Sequence, residues 1–180
     1  MRTRSALFVL ASAIGGAAVS MAQAAIAASG PHGVVLSFGI TRDLSEAVRS
    51  PDPNAPSGRS VFAESMEVAV ETDTIEAKIG TSFGVRYSVQ GLEPGQPVSL
   101  RKVVKCPPMH LPDGTVSRGY SKPLFPTVAR SDGSVGNIQG YSFDEPFELV
   151  VGTWTIEIWL GDSLVASKDF HVVAPVAAKS

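Results

Sequence analysis

The chain has 180 residues, with fifteen basic against seventeen acidic side chains, a formal net charge of −2, and one cysteine. A balance this even argues against a dedicated nucleic-acid binder, which carries a basic face. A single cysteine excludes an internal disulfide, so the core has to hold without a covalent staple.

At the N-terminus Arg2 and Arg4 precede an apolar, Ala-rich run from Ala6 to Val19, and two A-x-A frames follow, Ala22-Gln23-Ala24 and Ala25-Ile26-Ala27. That order predicts a secretory signal peptide over residues 1–27, cleaved after Ala24 or Ala27. The apolar run is shorter than the ~20 residues that span a bilayer. No later stretch is longer, so the expected product is exported, periplasmic or secreted, without stable membrane insertion. Residues 28–180 are the size of one domain, and without Arg2 and Arg4 they hold thirteen basic and seventeen acidic residues, a net of −4.

Beyond the leader the apolar residues alternate with period two between Gly and Pro punctuation, the pattern of an all-β domain. Val34, Leu36, Phe38 and Ile40 form the first row. Arg42–Ser65 contains "RSPDPNAPSGRS" and little apolar content; it is expected to be a Pro-rich surface loop, with a short helical turn over Leu44–Arg49. Met66, Val68 and Val70 alternate against Glu67 and Glu71. Phe83, Val85, Tyr87 and Val89 form the most regular half-buried strand. Glu93-Pro94-Gly95-Gln96 has the Pro and Gly placement of a type II turn.

Val98–Cys106 is less regular, because Lys102 interrupts the apolar row of Val98, Leu100, Val104 and Cys106. This predicts an edge strand or a bulge, with Cys106 a buried thiol. Pro107-Pro108 opens a loop to Tyr120 that contains an Asp113-Gly114 turn. Asp132-Gly133 signals a hairpin between Thr127–Arg130 and Val135–Ile138. In the C-terminal pair, Trp154, Ile156, Ile158 and Leu160 share the core face of one strand, and Thr153, Thr155, Glu157 and Trp159 share the other. Leu164, Ala166, Phe170 and Val172 are the apolar set of the last strand. An odd-length loop through Gly161, Asp162 and Ser163 pairs Leu160 with Leu164 and Trp154 with Phe170, which matches both faces; one residue of slip would invert them. Together these elements predict an immunoglobulin-like antiparallel β-sandwich of seven or eight strands.

Three segments carry a family resemblance: "GTSFGVRYSVQGL", "RKVVKCPPMHLPDG" and "GYSFDEPFELVVGTWTIEIW". They resemble a family of small exported bacterial proteins known only as a domain of unknown function, from about Val34 to Val173. Val151 stands where that signature leads one to expect Pro, and Arg42–Ser65 is longer than usual. The resemblance implies an exported β-sandwich and brings no activity and no catalytic residues.

For chemistry, Asp144, Glu145 and Glu148 sit near aromatics, and Ser142 lies in Gly-Tyr-Ser-Phe-Asp, which lacks the last Gly of a nucleophile elbow. His32, His110 and His171 have no second ligand at metal spacing, and no cofactor motif is present. The best-supported expectation is a non-catalytic binding module of the bacterial envelope. Its candidate contacts are Trp159, Glu157, Arg86, Arg101 and Lys105; Arg101, Lys102 and Lys105, with Arg86 on the neighbouring strand, form a basic cluster for an envelope protein or an acidic glycan. The basic residues have a second reading, as charges that blunt a sheet edge. Two rival functions remain: an accessory subunit completing a partner's sheet at the Val98–Cys106 edge, and a small envelope hydrolase using Asp144, Glu145 or Ser142.

Overall fold

The computed structural model describes residues 30–63 and 65–175, so the expected signal peptide and its cleavage frames lie outside the described residues. In chain order the strands are β1 (His32–Asp43), β2 (Val48–Pro51), β3 (Arg59–Phe62), β4 (Met66–Glu71), β5 (Thr74–Glu76), β6 (Ser82–Gln90) and β7 (Pro97–Val98). They continue with β8 (Leu100–His110), β9 (Val116–Pro123), β10 (Thr127–Val128), β11 (Val135–Ser142), β12 (Gly152–Leu160) and β13 (Ser163–Val173). A single 3-10 turn, Pro146–Glu148, is the one helical element among the described residues.

One sheet has the order β5-β13-β12-β8-β9 and the other β11-β6-β1-β4. Every neighbouring pair is antiparallel except β5 with β13. The two sheets therefore hold nine strands, where seven or eight were expected; β2-β3 and β7-β10 add two short ribbons.

The faces pack through aromatic side chains. Phe83 of β6 lies with its ring centroid 5.0 Å from Phe170, 5.4 Å from Phe143 and 6.1 Å from Trp154, and all four residues are fully buried. The indole nitrogen of Trp154 donates to the Val150 carbonyl at 2.8 Å, which satisfies its one polar atom inside the core. Tilted and edge-on contacts of this kind add to the large apolar area that each ring removes from water. Cys106 is buried as expected, and burial pushes its thiol up to about 11.

Bulges correct several strand faces. Val35 pairs with Tyr87 but Ser37 with Arg86, so Leu36 is the extra residue in β1. Side chains on either side of it change phase: Val34 and Leu36 are exposed, while Val35, Phe38 and Ile40 pack on the core. A β-bulge does this by opposing two residues to one. At the β12–β13 hairpin, Leu160 pairs with Ser163, against the expected Leu164, so the loop is the two residues Gly161 and Asp162. Gly161 takes φ 56° at the first loop position, where a two-residue turn favours glycine. Trp154 still pairs with Phe170, because Ile158 faces Ala166 and Trp159 faces Leu164, leaving Val165 as a bulge. The faces are reconciled inside β13, not at the turn.

Three loop expectations also change. Arg42–Ser65 holds the β2–β3 hairpin, with no helical turn at Leu44–Arg49. Pro107 and Pro108 lie within β8, where its pairing with β9 breaks between Lys105 and Met109; lacking N–H groups, they fit that interruption. The Asp132-Gly133 turn forms, closed by Arg130 and Ser134, but β10 pairs with β7 and not with β11. Finally, β8 is flanked by β12 and β9. Within Val98–Cys106, Arg101–Lys105 is paired on both sides and is not an edge, so a partner's strand cannot add along it.

Trp154→Ala is expected to lower unfolding free energy by about 3–5 kcal/mol, while Val34→Ala changes it by less than about 0.5 kcal/mol. Urea titration of both variants checks the pair, and a large loss at Val34 would contradict the bulge at Leu36.

Candidate binding cleft

Four of the five residues singled out in the sequence meet on the outer face of the larger sheet. Register places Trp159 opposite Arg101, and Thr155 opposite Lys105. Lys105 Nζ lies 2.5 Å from Glu157 Oε1, and Trp159 Nε1 donates to Glu157 Oε2 at 3.0 Å. The Arg101 guanidinium sits 5.0 Å from the Trp159 ring centroid. Glu157 is consequently buried. The cluster satisfies itself: the carboxylate is paired, the indole N–H is used and the ring face is covered. Arg86 does not join it. It lies on β6 in the other sheet, between Ser37 and Ile138.

The open feature of the molecule lies elsewhere. β11 is an edge strand of the smaller sheet. A cleft of about 660 Å³ follows that edge, walled by β8 and β9 on one side, by the β2–β3 hairpin, and by the Leu124–Thr127 connection. The hairpin is anchored by ion pairs from Asp52 to Lys122 of β9 and from Arg59 to Glu145, and it stands across the cleft from β11. Ile138 lies opposite the exposed Arg86, on the outward face of its sheet. It is nevertheless only 6% exposed and lies outside the core cluster. It lines the cleft.

One end of the cleft is polar. Asp52 Oδ2 accepts from Lys122 Nζ at 2.9 Å and from the Ser60 hydroxyl, and Oδ1 accepts from the Asn54 N–H at 3.0 Å. Burial opposes the charge of Asp52, but these three donors together outweigh it and hold the carboxyl well below the usual range. Lys122 also donates to Ser60 Oγ at 2.6 Å. The group is closed on itself.

Lys102 is different. It projects inward from the row that Leu100 and Val104 continue, is 6% exposed, and donates to the Gly140 carbonyl of β11 at 2.8 Å. Its ammonium lies 5.4 Å from the Tyr120 ring centroid. Burial pulls the amine from 10.5 down to about 7; Lys122 acts in the same direction and Asp52 opposes it. The β8 irregularity seen in the sequence at Lys102 thus marks an interior cation, not a blunted edge. The signal was there, as a lysine in phase with buried neighbours. What the sequence lacked was the cleft that gives such a lysine a purpose.

Of the groups considered for hydrolysis, Glu145 pairs with Arg59, and Glu148 and Ser142 are engaged within the protein. Glu148 is buried, accepts from the Tyr141 hydroxyl at 2.6 Å and from the N–H groups of Asp144 and Glu145 at 2.7 and 2.8 Å, and so caps the 3-10 turn. Burial raises its pKa despite those donors. Ser142 Oγ is 2.7 Å from Ser82 Oγ. Among the described residues no three His, Cys, Asp or Glu side chains stand together as a metal would require, and no helix is long and apolar enough to cross a membrane.

A family model for a domain of unknown function, DUF3859, matches residues 31–172. The chain belongs to the DUF3859 family. The resemblance seen in its sequence segments is therefore confirmed. An immunoglobulin-like protein from Pseudomonas aeruginosa is similar over 82% of this chain and 99% of its own, at 23% identity and a TM-score of 0.53; that likeness shows the immunoglobulin-like sandwich fold. The alkylpurine DNA glycosylase AlkC of Pseudomonas fluorescens, bound to DNA, overlaps 57% of this chain and 28% of its own at 10% identity and a TM-score of 0.43, and nothing is argued from it. No curated protein matches the chain.

The titration of Lys102 makes the cleft of this DUF3859 protein testable without a ligand. Unfolded, the amine keeps its proton up to about 10.5; folded, it loses it near 7. Between those values the unfolded state binds more protons, so stability rises with pH. Cys106 acts oppositely above 9.0, since its folded thiol is held up. Urea unfolding between about pH 7 and 9 is expected to show stability climbing by up to about 1.4 kcal/mol per pH unit. Lys102→Met is expected to flatten that rise and to stabilise the neutral-pH protein by about 1–4 kcal/mol. A wild type as flat as the variant would show that Lys102 is not a buried cation.

Proposed function

We propose that this DUF3859 protein is a non-catalytic binding module of the bacterial envelope that admits a small, mainly apolar molecule to the cleft along β11. The observation that carries the reading is the cleft itself. Its volume of about 660 Å³ falls within the roughly 300–1,000 Å³ of ligand pockets. Val61, Phe62, Leu124, Phe125 and Ile138 line it together with polar side chains that include Thr127, Asn137 and Gln139, and the buried Lys102 is among them. An apolar wall with a placed charged group is what small-molecule sites share.

The walls nearest solvent support the same reading. Phe62 of the hairpin meets Phe125 edge-on at 5.4 Å, and the two are 46% and 77% exposed. Large aromatics left this open gain by covering an apolar partner. The outer-face cluster around Trp159 is the weaker candidate. An aromatic ring that binds sugar offers an open face, and Arg101 occupies that of Trp159. Envelope placement rests on the leader pattern of residues 1–27. The non-catalytic reading rests on Glu148 acting as a cap and Ser142 pairing with Ser82, with no base set against either.

Nile red, an uncharged apolar dye, is expected to bind the purified protein at one site with a rise in fluorescence. Val61→Trp, which places an indole in the cleft wall, is expected to weaken that binding about tenfold while leaving the circular dichroism spectrum unchanged. Equal binding by wild type and variant, or no binding by the wild type, would overturn the reading.

A further inference from the structure

We infer that the cleft is shaped for a single-chain amphiphile with a carboxylate head, the head seated at Lys102 and the chain lying towards Phe62 and Phe125. The inference rests on the cleft being a binding site and names the class of its ligand.

Four charged side chains line the cleft, Asp43, Asp52, Lys102 and Lys122, and the last three act on one another. Asp52 and Lys122 pair with one another and share Ser60. Lys102 has a single hydrogen-bond acceptor among the described residues, the Gly140 carbonyl, and no carboxylate at ion-pair distance. An ammonium has three donors, so two of the three on Lys102 remain for something that enters. Lys102, Ser60 and Lys122 line both the large cleft and a small adjoining cavity of about 60 Å³. They therefore stand at its inner, polar limit.

Charge selects the head. With its proton, Lys102 sums with Lys122 and Asp52, the two charges that act on it, to one positive charge; Asp43, which also lines the cleft, sits opposite Met66 on another strand pair. A monoanion neutralises the Lys102 end and keeps its proton in place, whereas a neutral head leaves either a buried cation without a partner or a deprotonated amine, and a dianion leaves a negative charge. Either residue of charge is costly in a site removed from water. Geometry selects the rest of the molecule. Away from Lys102, Val61, Phe62, Leu124, Phe125 and Ile138 give the cleft a choice of apolar contacts, beside polar side chains such as Asn137 and Gln139, and a hydrocarbon chain lies along the apolar groups. The two phenylalanines, both exposed, give the far end of the chain its cover.

The test is displacement of Nile red by dodecanoate and by dodecanol, with wild type, Lys102→Met and Lys102→Gln. The expected result is that dodecanoate binds wild type at least about tenfold tighter than dodecanol, and that both variants lose this preference through weaker dodecanoate binding alone. The glutamine variant keeps a donor for Gly140 and removes the charge, so it reads the headgroup should the methionine variant fail to fold. Shortening the acid is expected to weaken binding about fourfold per methylene removed. Equal affinity for acid and alcohol, a preference retained in the variants, or dodecanoate that fails to displace bound dye would overturn the carboxylate assignment and leave the cleft standing. A wild type that does not bind Nile red at all would instead remove the cleft as a site, and this inference with it.

Discussion

An unpaired sheet edge is the constraint on which the arrangement of this molecule depends. In a two-sheet sandwich the outer strand of each sheet presents a row of backbone donors and acceptors with no ladder partner, and natural proteins cover, charge or distort such edges. Here β11 is that edge. Its Gly140 carbonyl is taken by Lys102 from the facing sheet, and the β2–β3 hairpin lies across from it without pairing. Had the hairpin joined the sheet, the sandwich would have closed. Because it is held back by Asp52–Lys122 and Arg59–Glu145, the covered edge becomes a cleft.

Lys102 fits this arrangement because it does two things at one point. Its stem fills the inward row between Leu100 and Val104, and its nitrogen donates to the Gly140 carbonyl. Losing that hydrogen bond would destabilise the fold, whereas a buried amine costs more when charged and less once neutral. The pull of its pKa down to about 7 places the residue between those states. Under the proposed function, a lysine kept at that expense, in a position where an apolar residue would pack, is accounted for by the ligand it would meet. Buried ionic groups are on balance neutral or unfavourable to folding.

The fold was legible wherever alternation was unbroken. Phe83, Val85, Tyr87 and Val89 lie buried as their period of two requires, and Trp154 faces Phe170. Alternation failed where a bulge shifted its phase, at Leu36 and at Val165, because a bulge leaves no residue-type signature when its extra residue is another aliphatic. The proline-rich Arg42–Ser65 segment hid a hairpin for a related reason: its strands are exposed and partly polar, so neither period nor hydrophobicity marks them. The candidate site suffered most. Its groups come from residues 52, 60, 102, 122 and 140, far apart in sequence, and only the misplaced Lys102 hinted at them. By contrast Glu157 and Trp159, two apart on one strand, drew notice through proximity.

That contrast also separates the two polar clusters physically. On the outer face, Lys105 pairs with Glu157, which also takes the Trp159 N–H, and Arg101 lies over the Trp159 ring beside Ser121, so an incoming molecule meets a carboxylate already paired and a ring face already covered. At the cleft, Asp52, Ser60 and Lys122 are likewise satisfied, but their closure leaves Lys102 as the unmatched cation beside an apolar wall. A site does work on a ligand through the interactions it has not already made internally. By that criterion the half-buried Trp159 cluster is structural, and the buried lysine, which looked in the sequence like a flaw in a strand, is the group that the proposed recognition uses.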